Sequence, residues 1–223
     1  VEVLNRRGGA PYVTVDGRDA GLEVSLTDRA GWAVCLVGAA DEFGRVRVDT
    51  GIGAGNLVGG TLGVDLEAVE PRTPTFVADY FTEAERAYTH GRGEPGSEGW
   101  QVASNLIWSA KESALKVLRV GLRADTRVVE VRLGDYPRAD GWAPLVADTT
   151  AGASFPGWWR RDGHFLLTLA STRVQEPPTL LAGGDDLGML EIQDAAAVIT
   201  EAIDPDAKVI FGAITDENLK KGQ

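Results

Sequence analysis

The chain has 223 residues, of which 43% are hydrophobic and 25% are charged, and its net charge is −11. This composition is typical of a globular protein with one sizeable domain and an appendage, and the negative charge argues against nonspecific nucleic-acid binding, which needs a basic surface. No apolar run approaches the roughly 20 residues that cross a bilayer. The first seven residues lack the design of a secretion signal and the lone Cys35 cannot form an internal disulfide, which together predict a cytoplasmic location.

Short strands and helices alternate along most of the chain. Apolar alternation predicts four early strands, at 12–15, 23–26, 32–37 and 61–67. Thr82 predicts a helix at 83–86, and Ser104 or Asn105 predicts the start of a second helix over 106–120, which Gly121 would end. The segment 91–99 between them is rich in glycine and reads as a loop. Four later strands are predicted at 127–133, 143–146, 157–160 and 164–171, and the turn signal at 162–163 makes the last two a hairpin. Strands and hairpins interleaved with two helices indicate an α+β fold.

Carboxylates on one predicted strand and one predicted helix form the most informative pattern. Strand periodicity puts Asp65 and Glu67 on the same face of the sheet, and Trp108, Glu112 and Lys116 recur at four-residue spacing on one stripe of the helix. If the two elements pack together, three carboxylates and a lysine converge. Hard oxygen ligands in that number suit Mg²⁺ bound beside a phosphate-bearing substrate. Taken singly, the strand pair is more often an exposed face, and the helical pair a solvated ion pair.

Lysine usage adds weight to this helix. Seventeen arginines but only two lysines, Lys111 and Lys116, occur before residue 183. A lysine is a compact point charge that can lose its proton, unlike arginine. The two lysines are therefore candidates for a chemical role.

Five motifs, spread over about residues 5–175, carry a resemblance: Gly9-Ala10-Pro11, the run from Ser25 to Arg29, Gly63-Val64-Asp65-Leu66-Glu67, the run from Phe76 to Glu85, and the run from Trp108 to Lys116. In this order they resemble the 4′-phosphopantetheinyl transferase superfamily. The resemblance implies two pseudo-twofold lobes, each a small antiparallel sheet with a helix, and a cleft between them. It also implies a reaction, in which coenzyme A donates its phosphopantetheine arm to a serine of an acyl or peptidyl carrier protein.

The resemblance also assigns roles to residues. It implies that Asp65, Glu67 and Glu112 hold Mg²⁺, that Glu112 or a metal-held water takes the serine proton, and that Lys116 offsets charge at the pyrophosphate with Lys111 in support. The residues that would bind coenzyme A are Thr27, Asp28, Arg29, Lys111 and Lys116. A basic patch for this polyanion could come from Arg6, Arg7, Arg18, Arg29, Arg119 and Arg123.

Asp28 departs from the family pattern, which usually has a histidine at this place. A carboxylate near the phosphates of coenzyme A would repel them, which predicts weak binding and an impaired enzyme. The alternative is that Asp28 faces solvent.

The segment after residue 182 has a different character. It has no arginine, and it resembles a fragment of the bacterial tubulin-like cell-division GTPase, with a helix at 193–202 and a strand at 208–214. We therefore predict a transferase-like domain at 1–181, incomplete at its N-terminus, and an acidic helix-strand appendage at 182–223. The appendage strand would lack its original sheet partners and be prone to aggregate.

Two other functions stay open at this point. A degenerate, non-catalytic member of the family could serve as a binding domain. The appendage alone would suggest a cell-division interaction protein, which would bind a tubulin-like filament without any need for coenzyme A.

Overall fold

The computed structural model describes residues 1–6, 9–39, 47–48, 57–58, 62–134, 137–173, 176–180 and 208–213. The strands of this part are β1 Glu2–Asn5, β2 Pro11–Val15, β3 Arg18–Asp19, β4 Leu22–Arg29, β5 Trp32–Ala39, β6 Arg47–Val48, β7 Leu57–Val58, β8 Leu62–Ala68, β9 Val129–Leu133, β10 Ala143–Thr149, β11 Ser154–Asp162, β12 Phe165–Ser171, β13 Thr179–Leu180 and β14 Lys208–Ala213. The helices are α1 Pro74–Tyr80, α2 Glu83–Gly91 and α3 Glu98–Val117, and two 3₁₀ turns follow at Gly121–Arg123 and Thr126–Val128.

Two sheets position the site. A five-stranded antiparallel sheet has the order β8-β12-β11-β10-β9, and a four-stranded sheet has the order β13-β14-β5-β4. The strands β4 and β5 pack against β8, while α3 lies across β8 and β12. Two smaller sheets have the orders β1-β2-β3 and β6-β7. Mainly antiparallel sheets, with three α-helices in the part of the chain that the structure describes, confirm the predicted α+β class.

The helix α3 is longer than its sequence predicted. Ser97 caps it by accepting a hydrogen bond from the backbone N–H of Trp100, so the helix begins eight residues before the predicted start at 106. The predicted loop 91–99 is therefore too long at its C-terminal end, where α3 has already begun. The C-terminal prediction is also wrong: Leu118 is the C-cap, and Gly121 opens a 3₁₀ turn instead. By contrast, Thr82 caps α2 as predicted.

Close packing of α3 on β8 depends on a glycine. A Cβ added at Gly63 would lie 1.9 Å from the backbone oxygen of Ser113, so any side chain would push the helix away. Buried hydroxyls hold the same surfaces together: the Thr168 hydroxyl lies 2.9 Å from that of Ser109 and 2.8 Å from that of Ser113. These contacts fix the distance between the strand of Asp65 and the helix of Glu112.

The appendage strand has sheet partners. β14 pairs antiparallel with β5 from Lys208 opposite Val37 to Ala213 opposite Trp32, and it also pairs in parallel with β13. The strand was predicted to lack its original sheet partners, and the structure shows that it has others, because it lies beside β5 in the sheet formed with β4. The helix predicted at 193–202 lies outside the described residues, and the division at residue 182 stays a prediction.

Candidate active site

Asp65 lies at the centre of the candidate site, on β8, with only 3% of its surface exposed. Its Oδ1 accepts hydrogen bonds from the Thr27 hydroxyl at 3.2 Å and from the Lys116 ammonium at 2.9 Å. Its Oδ2 is buried and no donor is bonded to it. A buried carboxylate oxygen without a partner is costly, so this atom is available to a ligand or a shared proton.

Glu112 approaches Asp65 from α3. The pKa of Glu112 is raised to about 8, mainly by burial and secondly by the negative charge of Asp65, while the positive charge of Lys116 opposes the shift. At neutral pH the Glu112 carboxyl is therefore mostly protonated, and in that state it can donate a hydrogen bond to Asp65. A hydrogen bond between the two carboxyl groups is a further cause of this shift.

Glu67 lies two residues along β8, on the same face, and contacts two arginines. Its Oε2 is 3.4 Å from Nε of Arg29 and 3.3 Å from Nη2 of Arg72. Burial and the nearby Asp65 raise the pKa of Glu67, and the two arginines counteract this. Glu112 on the helix thus lies close enough to Asp65 and Glu67 on the strand for both to act on its charge, and the assignment of the three as metal ligands stays a prediction.

The two lysines of α3 have separate surroundings. Lys116 donates to the carbonyl of Val64 at 2.8 Å as well as to Asp65, and its side chain stays 30% exposed. Lys111 is completely buried, 2.8 Å from the Glu85 carboxylate, and donates to the carbonyls of Thr126 and Val129. The prediction that Lys111 supports a phosphate site is wrong, because a side chain enclosed by these partners cannot touch a bound ligand.

The run from Thr27 to Arg29 divides across the two faces of β4. Thr27 and Arg29 face β8, where they contact Asp65 and Glu67. Asp28 points the other way and is exposed, as strand alternation requires. The structure favours the alternative in which Asp28 faces solvent.

A cleft of about 330 Å³ opens beside Lys116. One wall is the stretch of β4 from Glu23 to Leu26, another is the turn at residues 9–11, and the floor includes Lys116, Arg119 and Arg123. Arg119 is paired with Glu23 at 2.9 Å. Three cations against one carboxylate make this cleft suited to an anionic ligand.

Arg6, Arg18 and Arg29 of the predicted basic patch are not among the residues that line this cleft. Arg6 pairs with Asp19 at 3.4 Å and lies over the ring of Tyr12, and Arg18 is exposed on β3. Arg7 lies outside the described residues.

A family model covers this arrangement. Residues 61–141 match the 4′-phosphopantetheinyl transferase superfamily. The match confirms the resemblance, supports a transferase of this family, and includes Asp65, Glu67, Glu112 and Lys116, while Thr27, Asp28 and Arg29 lie before it. It takes in a little over a third of the chain.

A second family model matches the end of the chain. Residues 179–222 match the C-terminal domain of the FtsZ family. The cell division protein FtsZ of Bartonella bacilliformis is 50% identical over 40 residues, which are 18% of this chain and 7% of that protein. The chain thus spans only a small part of that relative's length.

The fit of the transferase site to a metal can be tested on its donor atoms. Within the described residues, no group of three or more His, Cys, Asp or Glu side chains stands arranged to hold a metal ion. The oxygen donors are of the type Mg²⁺ prefers, and the buried oxygens Asp65 Oδ2 and Glu67 Oε2 have no hydrogen-bond partner. The donor types fit the ion, although the carboxylates are not arranged as a ligand set here, because Asp65 is paired with Lys116 and Glu67 with Arg29 and Arg72.

Sequence reasoning missed Arg72. It donates from Nε to Asn105 Oδ1 at 2.8 Å and lies over the ring of Phe76, in addition to its contact with Glu67. Its position depends on the course of the segment between β8 and α1, which no periodicity reveals. No helix among the described residues has the length and apolarity to cross a membrane.

Proposed function

We propose that the protein transfers 4′-phosphopantetheine from coenzyme A to a serine hydroxyl of an acyl or peptidyl carrier protein, with Mg²⁺ as the required ion. The observation that carries the proposal is the position of the carboxylate cluster, next to Lys116 at the edge of the basic cleft. The family match at residues 61–141 supports it independently. The proposal includes the two-lobed arrangement, with β4 and β5 belonging to one lobe and the five-stranded sheet to the other.

Asp65, Glu67 and Glu112 would hold Mg²⁺, which supplies positive charge to the diphosphate of coenzyme A when bound. The chain's own cations would bind the rest of that ligand. Lys116, held in place by Asp65 and the Val64 carbonyl, would face the diphosphate, and Arg119 and Arg123, which also line the cleft, would bind further phosphate.

The transfer breaks one P–O bond and forms another. The serine oxygen attacks the phosphorus that carries the pantetheine arm, and the bond to the second phosphate of coenzyme A breaks, releasing adenosine 3′,5′-bisphosphate. The serine proton passes to the Glu112 carboxylate. Glu112 would be ionised beside the bound cation, as a proton acceptor must be.

The test is incubation of the purified chain with coenzyme A, Mg²⁺ and an apo carrier protein, followed by mass spectrometry of the carrier. We expect the phosphopantetheine mass shift, dependent on Mg²⁺. Glu112→Gln keeps the shape of the side chain and should remove most of the activity. Glu98→Gln, an exposed site on the same helix, is the matched control and should keep it.

Two results would favour the alternative functions over the transferase. Coenzyme A binding without any transfer would indicate the degenerate, non-catalytic alternative. Binding to a tubulin-like filament without coenzyme A would support the cell-division alternative, which rests on the match at residues 179–222.

A further inference from the structure

Glu67 already forms ion pairs with two arginines, Arg29 and Arg72. The two guanidinium contacts of its Oε2, at 3.3 and 3.4 Å, are ion pairs without hydrogen-bond geometry, and the same oxygen is buried with no hydrogen-bond partner. Glu67 is therefore held by charge and not by directed bonds. It can change partner at a smaller cost than a carboxylate in a bidentate pair.

The two arginines are themselves fixed by other groups. Arg72 is bonded to Asn105 through Nε and lies 4.6 Å from the centre of the Phe76 ring. Arg29 is bonded to Glu70, with Nη2 2.5 Å from Oε2. Neither guanidinium can follow Glu67 when that carboxylate turns towards a bound cation.

We propose that Arg29 and Arg72 make Mg²⁺ binding conditional on an anionic diphosphate ligand. When Glu67 ligates a cation alone, Arg72 loses its carboxylate partner and Arg29 keeps only Glu70, both beside a dication and with side chains that are 18% and 35% exposed. When a diphosphate arrives with the cation, its oxygens replace Glu67 as the partner of the arginines. The ion and the diphosphate therefore bind cooperatively. Arg29 and Arg72 are positioning residues in this scheme, which rests on the proposed function for the identity of the ligand.

Binding of Mg²⁺ alone is the first test, and it requires neither coenzyme A nor activity. Calorimetric titration of metal-free protein with Mg²⁺ should show at least about tenfold tighter binding in Arg72→Met than in wild type, because Glu67 is released. Arg29→Met gives an independent variant at a more exposed position. Arg132→Met, which breaks an exposed pair with Asp148, is the matched control and should bind like wild type.

The second test measures coupling through coenzyme A. The affinity for coenzyme A is measured with and without saturating Mg²⁺, and the gain that Mg²⁺ produces should be at least about tenfold smaller in Arg72→Met and Arg29→Met than in wild type. Association of Mg²⁺ with the diphosphate in solution is common to all four proteins, so the difference between proteins reports the site.

Equal Mg²⁺ affinity in all four proteins overturns the inference, and lack of measurable Mg²⁺ binding in every protein counts as equal affinity. An equal Mg²⁺-dependent gain in coenzyme A affinity in all four proteins also overturns it. These outcomes are independent of turnover. A wild type that transfers phosphopantetheine while the variants show unchanged Mg²⁺ binding refutes the arginine mechanism alone. A wild type that shows coupling but no transfer refutes the proposed reaction alone.

Discussion

Replacement of Glu112 by glutamine should stabilise the metal-free protein, and more so as the pH rises. The pKa of Glu112 is raised in the folded state from an ordinary value of 4.5 to about 8. A group of this kind favours the folded state below its unfolded pKa, and that contribution is lost as the pH rises through the folded pKa. Glutamine does not titrate. Its amide N–H can donate to Asp65 in place of the O–H of a protonated carboxyl. The gain in Glu112→Gln should therefore be small near pH 5 and reach its full size above about pH 8.

The size of the effect follows from the shift. One pKa unit corresponds to about 1.4 kcal/mol, so the shift from 4.5 to about 8 sets an upper limit of roughly 5 kcal/mol. Glu112 is partly exposed, and part of its shift comes from the interaction with Asp65, which reduces the free energy that belongs to Glu112 alone. We expect a difference of about 2–3 kcal/mol in the free energy of unfolding between the ends of this pH range.

The measurement is urea unfolding of wild type and Glu112→Gln, both treated with chelator, at several pH values between about 5 and 9. Glu98→Gln is the control, since it removes a carboxylate from the same helix at an exposed site. A stability difference that stays constant across this range, or that falls with rising pH, would refute the argument that the pKa of Glu112 is raised in the folded protein.

Three further changes should have distinct effects. Lys111→Met should lower the free energy of unfolding by about 3–5 kcal/mol, because it leaves the Glu85 carboxylate buried without its cation. Adding Glu85→Gln should restore part of the loss. If the double variant instead loses the sum of the two single losses, the pairing is contradicted. Gly63→Ala should cost about 3 kcal/mol in urea unfolding and also lower transfer activity, since the new Cβ would meet the Ser113 carbonyl; wild-type stability would mean that helix and strand are not in close contact. Removal of the chain from β13 onward should cause concentration-dependent association in light scattering, because the edge of β5 is uncovered; a monomer as stable as the full chain would show that β14 does not protect this edge.

The central geometry of the site could be predicted from the sequence because it is governed by local periods. Asp65 and Glu67 share a face by strand alternation, and Glu112 and Lys116 share a stripe by helical repeat, so only the packing of one element on the other had to be supposed. The same rule could have corrected the error at Lys111. Five residues of helix turn the side chain by about 140°, which places Lys111 on a different side of α3 from Lys116.

Other features depend on chain paths that no local pattern records. Arg72 reaches Glu67 only because the segment after β8 folds back over α3, where Gln101 accepts a hydrogen bond from its backbone N–H. The start of α3 was hidden for a different reason: the glycine-rich composition of 91–99 outweighed the cap at Ser97. A strand could be recognised at 208–213, but its pairing with β5 joins distant parts of the chain and has no local signal.

That pairing sets an order of events during biosynthesis. Val37 lies opposite Lys208, 171 positions later in the chain, and contacts of such long range form late and slowly in folding. On the ribosome β4 and β5 emerge early, yet the outer neighbour of β5 is the last described element to be made. The nascent chain therefore carries an uncovered strand edge throughout synthesis of α3 and the five-stranded sheet, and an unpaired edge of this kind exposes a growing chain to aggregation.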